Sequence, residues 1–467
     1  MAKHKALLHI LWDHSEIWGL IAARAARVMG LPYRLARAAD IASGLLERER
    51  PSLVLVPGGN ARHKAESLGQ AGTAALKEYV RSGGRYLGFC GGAGLALDWG
   101  GALPLIQEGS CGLGLCPWKR GRFDERMQHF MSGHLHVSLP AKKGAHAALV
   151  PDSLGDAPAL PVWWPGRFAE GVPESVTVLA AYERPAQDFW LADLPIAELP
   201  PDIFSDWSSV YGVSLTPTFL AGQPCVVYGE YGQGAYVLSY SHLETPDSPQ
   251  ANAWLALLFK ELGGLEPRTT HLPAWCDSPV SRCKSACDSN FASGKEAKSN
   301  AGAMAGEHLC TAAEQGAAWD DAHLAHMLRQ IEDLLCTGMR HGLLFARTDW
   351  LMGWRFGLPG ANLNNLWAAL RTVRELEPDN AALAFWREHK EALRSGMDIF
   401  YRGCVQYLLA ERLGMTLAKA LPEALPQGML RDQRESLFGP PMQAGGLYKD
   451  VLETLDELAW LQLNGKR

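Results

Sequence analysis

A cysteine delivered by a short apolar run into a cluster of glycines is placed for nucleophilic chemistry. Residues 85–89 lead into Cys90, and Gly91, Gly92, Ala93, Gly94, Leu95 and Ala96 follow with a helix-like pattern. Strand, sharp turn and helix make a nucleophile elbow, whose nucleophile sits in strained backbone and whose neighbours must be small. Gly88, Gly91 and Gly92 supply that room. A helix N-terminus behind the thiol favours its ionised, reactive form. The same residues also fit a glycine-rich turn that holds a small buried cysteine.

Two further segments complete a possible constellation. The apolar run 53–56 ends in Pro57, Gly58, Gly59 and Asn60. In an open α/β sheet, ligands bind beyond the carboxyl ends of the strands, so the ends of 53–56 and 85–89 can flank one crevice. Backbone N–H groups of Gly59 and Gly91 would then form an oxyanion hole, and Asn60 is a candidate residue of the substrate pocket. Downstream, a β-rich run from Gly234 ends in Ser241, His242, Leu243 and Glu244. Residues two apart on a strand share a face, and a histidine oriented by a carboxylate is the usual base for a thiol.

These three segments, in this order, resemble class I glutamine amidotransferase-like domains. Residues 83–93 and 231–239 look closest to the branch named for the N-terminal domain of eukaryotic biotin–protein ligases, and the resemblance covers about residues 5–265. It implies a flavodoxin-like, doubly wound, mostly parallel sheet. It also implies a catalytic triad of Cys90 as nucleophile, His242 as base and Glu244 as orienter. Two departures stand out: Leu243 occupies the position usually held by proline, and the stretch between Cys90 and His242 is long. Biotin ligation itself is not expected. Lys119, Arg120, Gly121 and Arg122 lack the repeated glycine pattern of the ligase loop, and nothing after residue 265 resembles the ligase catalytic domain.

The elements that must position these residues follow from periodicity. Residues 6–11 read as a strand and 16–29 as a helix with Ile17, Leu20, Ile21, Ala25 and Val28 on one side. A strand at 33–36, a helix near 39–47, the strand 53–56 and a helix at 70–82 follow, an alternation that argues for a parallel sheet. Between about 100 and 235 the texture changes to short β-like runs at 134–139, 176–182 and 224–229, read as a β-rich insertion. Helix 249–262 closes this domain, assigned to residues 1–265. Residues 266–318 read as a linker, and 319–467 as an all-α domain with helices at 320–340, 362–376, 380–394, 397–413 and 446–463. Trp350, Trp354 and Trp367 are expected in its core.

Composition limits the function. The chain has 467 residues and a net charge of −6, with no long basic block, so neither nucleic acid nor a membrane is an expected partner. Ten cysteines without a secretory leader fit a cytoplasmic, reduced thiol protein. Cys276, Cys283, Cys287 and Cys310 cluster, but not at zinc-ribbon spacing, and either a metal site or disulfides stay open. No cofactor is expected. Trp163, Trp164 and Arg167 precede and follow Pro165-Gly166 and are candidate walls of a substrate pocket, with a packed loop as the alternative. Two functions are consistent with this pattern. One is a thiol-dependent amide hydrolase or amidotransferase acting on a small amide or peptide-like ligand. The other is a catalytically silent binding or regulatory module using the same pocket, with the helical domain engaging a protein partner.

Overall fold

The computed structural model describes residues 7–100, 112–121, 131–155, 157–200, 202–211, 220–275, 317–348, 350–354, 359–421, 427–440 and 445–465. The chain divides into two compact units, residues 1–273 and 274–467.

The first unit begins as a repeating strand–helix pattern. Its elements are β1 (Leu8–Leu11), α1 (Glu16–Val28), β2 (Tyr33–Ala36), α2 (Ala38–Ala42), α3 (Leu45–Glu49), β3 (Leu53–Val56), α4 (Ala61–Arg81), β4 (Arg85–Phe89) and α5 (Gly91–Ala96). The β-rich part holds β5 (Met131–Ser138), β6 (Ala159–Trp163), β7 (Val176–Pro185), β8 (Trp190–Leu191), β9 (Leu194–Pro195), α6 (Ile203–Tyr211), β10 (Pro224–Tyr231) and β11 (Gly234–Ser239). Helix α7 (Pro249–Glu261) follows.

All of these strands belong to one sheet of order β2-β1-β3-β4-β11-β10-β7-β5-β8-β9, with β6 paired to β5. The half from β2 to β11 is parallel. Its β1 and β3 are buried at every position, as strands covered by helices on both faces must be. From β11 outward the pairing is antiparallel. The order 2-1-3-4 is that of flavodoxin-like folds, with its topological switch at β1 and β3. The carboxyl ends of β1, β3, β4 and β11 therefore converge on one side of the sheet.

Several elements depart from the sequence reading for identifiable reasons. The helix expected at 70–82 starts at Ala61, because Asn60 caps it; Gly69 (φ 56°, ψ −166°) kinks it and interrupts the periodicity. The helix expected near 39–47 is two, broken at Gly44 with φ 87°. Strand β6 occupies residues that the sequence left between pocket wall and packed loop.

The second unit is helical, with one short hairpin: α8 (Ala322–Arg340), β12 (Leu344–Ala346), β13 (Met352–Trp354), α9 (Pro359–Glu375), α10 (Asn380–Ala420), α11 (Gln427–Phe438) and α12 (Gly446–Gly465). Leu324, Met327, Leu328, Ile331, Leu334 and Leu335 bury one face of α8, and Trp350 and Trp367 are fully buried. The two helices expected at 380–394 and 397–413 are one 41-residue helix. Gly396 does not break it; a glycine inside a helix costs only about 1 kcal/mol. Cys276, Cys283, Cys287 and Cys310 lie outside the described residues. Cys336 is disulfide-bonded. Among the described residues no helix is long and apolar enough to cross a membrane.

Candidate functional site

Cys90 ends β4 in a conformation with φ 47° and ψ −104°. Non-glycine residues rarely take positive φ, and such strain persists only where the surroundings impose it. Here the Cys90 N–H donates to the Ser239 carbonyl at 2.8 Å, tying the turn to the end of β11, and the Cys90 carbonyl accepts from Gly94 at 2.9 Å. The turn sits directly on the loop after β3. A Cβ on Gly91 would lie 1.9 Å from the Gly59 carbonyl oxygen, so only glycine allows this approach. Gly59 in turn has φ +104°, and a Cβ there would meet the His14 carbonyl oxygen at 2.1 Å. The loops after β1, β3 and β4 are thus stacked backbone on backbone. The helix behind Cys90 is only six residues long.

His242 and Glu244 follow β11 and are both fully buried. The His242 N–H donates to the Pro161 carbonyl, and Nδ1 shares a 2.8 Å hydrogen bond with Glu244 Oε1. The Trp18 indole lies over the imidazole, 3.9 Å between ring centres at 32°. Gly58 closes the ring edge: a Cβ there would be 2.8 Å from Cε1. Nε2, the nitrogen left over, has no hydrogen-bond partner of ordinary geometry, yet Cys90 stands close enough to act on the ring. Burial alone would disfavour an imidazolium. The Glu244 carboxylate first, and Cys90 second, overcome it and raise the His242 pKa to about 10.

A charged side chain that the sequence reading missed completes the surroundings. Lys64 on α4 is wholly buried; its ammonium donates to Ser15 Oγ at 2.6 Å and to the Asp13 carbonyl at 3.1 Å. Burial lowers its pKa to about 7, against the pull of Glu16, Asp13 and Cys90. The loop that it holds is strained, with His14 and Glu16 both at φ 51°. Nothing local marks Lys64, which lies before the helix expected at 70–82. Trp18 is likewise outside the set Ile17, Leu20, Ile21, Ala25 and Val28 read as one side of the helix at 16–29.

The remaining candidates are placed differently. Asn60 Oδ1 accepts from the N–H groups of Arg62 and His63, the work of a helix cap. Trp163 is 1% exposed and its indole donates to Thr245 Oγ1, which ties β6 to the segment after Glu244. Trp164 has φ 56° and its N–H donates to the Met131 carbonyl. Arg167 packs its side chain against Gly121, and its carbonyl accepts from that residue's N–H.

The flavodoxin-like sheet thus carries a strained cysteine at the end of its fourth strand and a buried His–Glu pair after the next strand in the sheet. Residues 47–97, which run from α3 through the elbow, match the family described as "Biotin-protein ligase, N terminal". No curated protein matches the sequence. Among solved structures, a putative GMP synthase component from Thermoplasma acidophilum is 13% identical, covering 56% of this chain and 94% of its own, with a TM-score of 0.34. A glutamine amidotransferase from Thermotoga maritima is 15% identical over 55% of this chain and 84% of its own, at 0.32. The GH42 β-galactosidase Gan42B from G. stearothermophilus is 14% identical over 56% of this chain and 31% of its own, at 0.30.

Proposed function

We propose that Cys90, His242 and Glu244 form the active site of a thiol-dependent amide hydrolase or amidotransferase. The observation that carries this reading is the 2.8 Å bond between His242 Nδ1 and Glu244 Oε1, in a fully buried pair on whose imidazole Cys90 also acts. Glu244 fixes the imidazole's tautomer and stabilises its charged form. With its pKa raised, His242 is charged near neutral pH, so the imidazolium already holds the proton and the Cys90 sulfur attacks the amide carbonyl carbon. The oxyanion formed is held by the N–H groups of Gly59 and Gly91, where losing one donor costs roughly 100- to 1000-fold in rate. The imidazolium returns the proton to the leaving amine, and a thioester remains on Cys90. Water or an acceptor amine then gives a proton to His242 and attacks the thioester, releasing the product and restoring the free sulfur beside the charged imidazole. The substrate class is a small amide or peptide-like ligand. A cytoplasmic setting belongs to this reading, because a thiol nucleophile stays reduced there; the disulfide at Cys336 is the observation that pulls the other way.

A second reading has its own support in Nε2, which lacks a hydrogen bond of ordinary geometry. On that reading the pocket is a catalytically silent regulatory module, and the helical unit binds a protein partner. Leu409 and Leu413, one turn apart on α10 and half exposed, are its candidate surface. One experiment separates the two. The folded protein is treated near neutral pH with an electrophilic glutamine analogue, and intact mass and peptide mapping follow the adduct. The catalytic reading expects Cys90 to label fastest, labelling at that site to vanish in Cys90→Ser, and His242→Gln to slow it about 100-fold. Equal rates in wild type and His242→Gln would leave the silent module.

A further inference from the structure

A second chain of reactive groups lies outside the Cys90 site. His134 on β5 has both ring nitrogens engaged: Nδ1 meets Asp188 Oδ2 at 2.6 Å and Nε2 meets Ser248 Oγ at 3.0 Å. The other Asp188 oxygen accepts from the His134 backbone N–H at 3.1 Å, so this carboxylate fixes both the ring and the strand that carries it. These three residues line an open cleft of about 540 Å³, which includes none of Cys90, His242 and Glu244. From the geometry we infer that Ser248, His134 and Asp188 form a serine-hydrolase-type site that takes an acyl ester or activated acyl group from this cleft.

Three observations separate this arrangement from a helix cap tied to a neighbouring strand. Ser248 precedes α7, and a serine there normally accepts from amides of the first turn. No such bond forms, and its hydroxyl turns to His134 instead. The first-turn amides are therefore left without a side-chain cap, and of these residues Gln250 lines the cleft beside Ser248. The residue before the serine, Asp247, has φ +54°, the sort of backbone strain also found at Cys90. Finally, the order of contacts is that of a nucleophile, a base on Nε2 and an orienting carboxylate on Nδ1, which is recognised by geometry and not by sequence order.

The chemistry balances without any further reagent than water. Ser248 Oγ gives its proton to His134 Nε2 and bonds to the acyl carbon. As the tetrahedral adduct collapses, the imidazolium protonates the departing alkoxide, leaving an acyl-serine and an alcohol. Water then gives a proton to His134, attacks the acyl-serine and releases the acid, and Ser248 recovers its proton.

The test uses the full chain with Cys90→Ala, so that thiol chemistry is silent. A fluorophosphonate probe, which loses fluoride when serine attacks phosphorus, is added and the adduct is mapped by mass spectrometry. Turnover of p-nitrophenyl acetate is followed in parallel. The expected result is one adduct on Ser248, absent in Ser248→Ala and slowed about 100-fold or more in His134→Gln, with ester turnover falling in step. Asp188→Asn, which keeps an acceptor for the backbone N–H but loses the carboxylate, is expected to slow both. Should Ser248→Ala fail to fold by circular dichroism, the His134→Gln and Asp188→Asn rates carry the test. An unmodified Ser248 in the folded protein at saturating probe, or an adduct that forms equally fast in His134→Gln, would overturn the proposal and leave a structural tie.

Discussion

At the scale of single residues, the Cys90 site holds two buried titratable groups with opposite pH signatures. His242 has its pKa raised to about 10, so the stability that it adds is complete below about pH 6.5 and is lost as pH rises through 10. Lys64 has its pKa lowered to about 7. Between that value and the unfolded value near 10.5 the unfolded chain binds more protons, so stability rises with pH across this window. Below pH 7 the burial penalty of the ammonium is felt in full. Lys64→Met removes it and keeps the aliphatic bulk. The variant is therefore expected to gain most over wild type in urea midpoint at pH 6, less at pH 8, and almost nothing near pH 10.5. His242 is present in both proteins and cancels from the difference. A gain that is the same at every pH would mean that Lys64 is not destabilised by burial. Sequence could not show this residue because its burial is made by a distant loop: Ser15 and Asp13, whose side chain and carbonyl hold the ammonium, stand 49 and 51 positions away.

At the scale of elements, the elbow and a long helix give glycine substitutions of opposite sign. Gly91 lies under the Gly59 carbonyl, with 1.9 Å available to a Cβ, and both partners are backbone. Neither loop can yield without moving β3 or β4, so Gly91→Ala is expected to lower stability by about 1–3 kcal/mol or more, and Gly91→Val further. Gly396 in α10 is the reverse case. A Cβ there meets only Val451 at 3.8 Å, an ordinary contact, and Gly396→Ala is expected to stabilise by up to about 1 kcal/mol. Urea midpoints of both variants check the pair; a neutral Gly91→Ala would mean that the stacked loops are softer than their contacts imply. The same contrast explains what the sequence disclosed. The elbow was legible because strand, turn and helix are contiguous and their glycines cluster. The extent of α4 was not, because a kink at Gly69 splits its periodicity, and the role of Asn60 as its cap hid behind a candidate pocket position. Strand β6 was not, because Pro161 and two tryptophans mask a pairing set by β5.

At the scale of the whole molecule, every group described at either site lies within residues 1–273. The parallel half of the sheet was legible as a strand–helix alternation, and it fixes where Cys90, His242 and Glu244 must meet. The second constellation was not, since Asp188 and Ser248 stand 54 and 114 positions from His134 and meet it only through antiparallel pairings that periodicity cannot specify. Both sites belong to one compact unit, so its chemistry should survive without the helical unit. A fragment of residues 1–273 is expected to label at Cys90 with the rate of the full chain and to keep the effect of His242→Gln. Circular dichroism establishes that the fragment is folded before the rates are compared. A folded fragment whose Cys90 labels far more slowly would show that the helical unit supplies something to the site: a residue, or a restraint on the strained loops at His14 and Glu16. Equal rates would assign the helical unit a role apart from the chemistry, and binding to wild-type fragment 274–467 would then be the place to look for a partner.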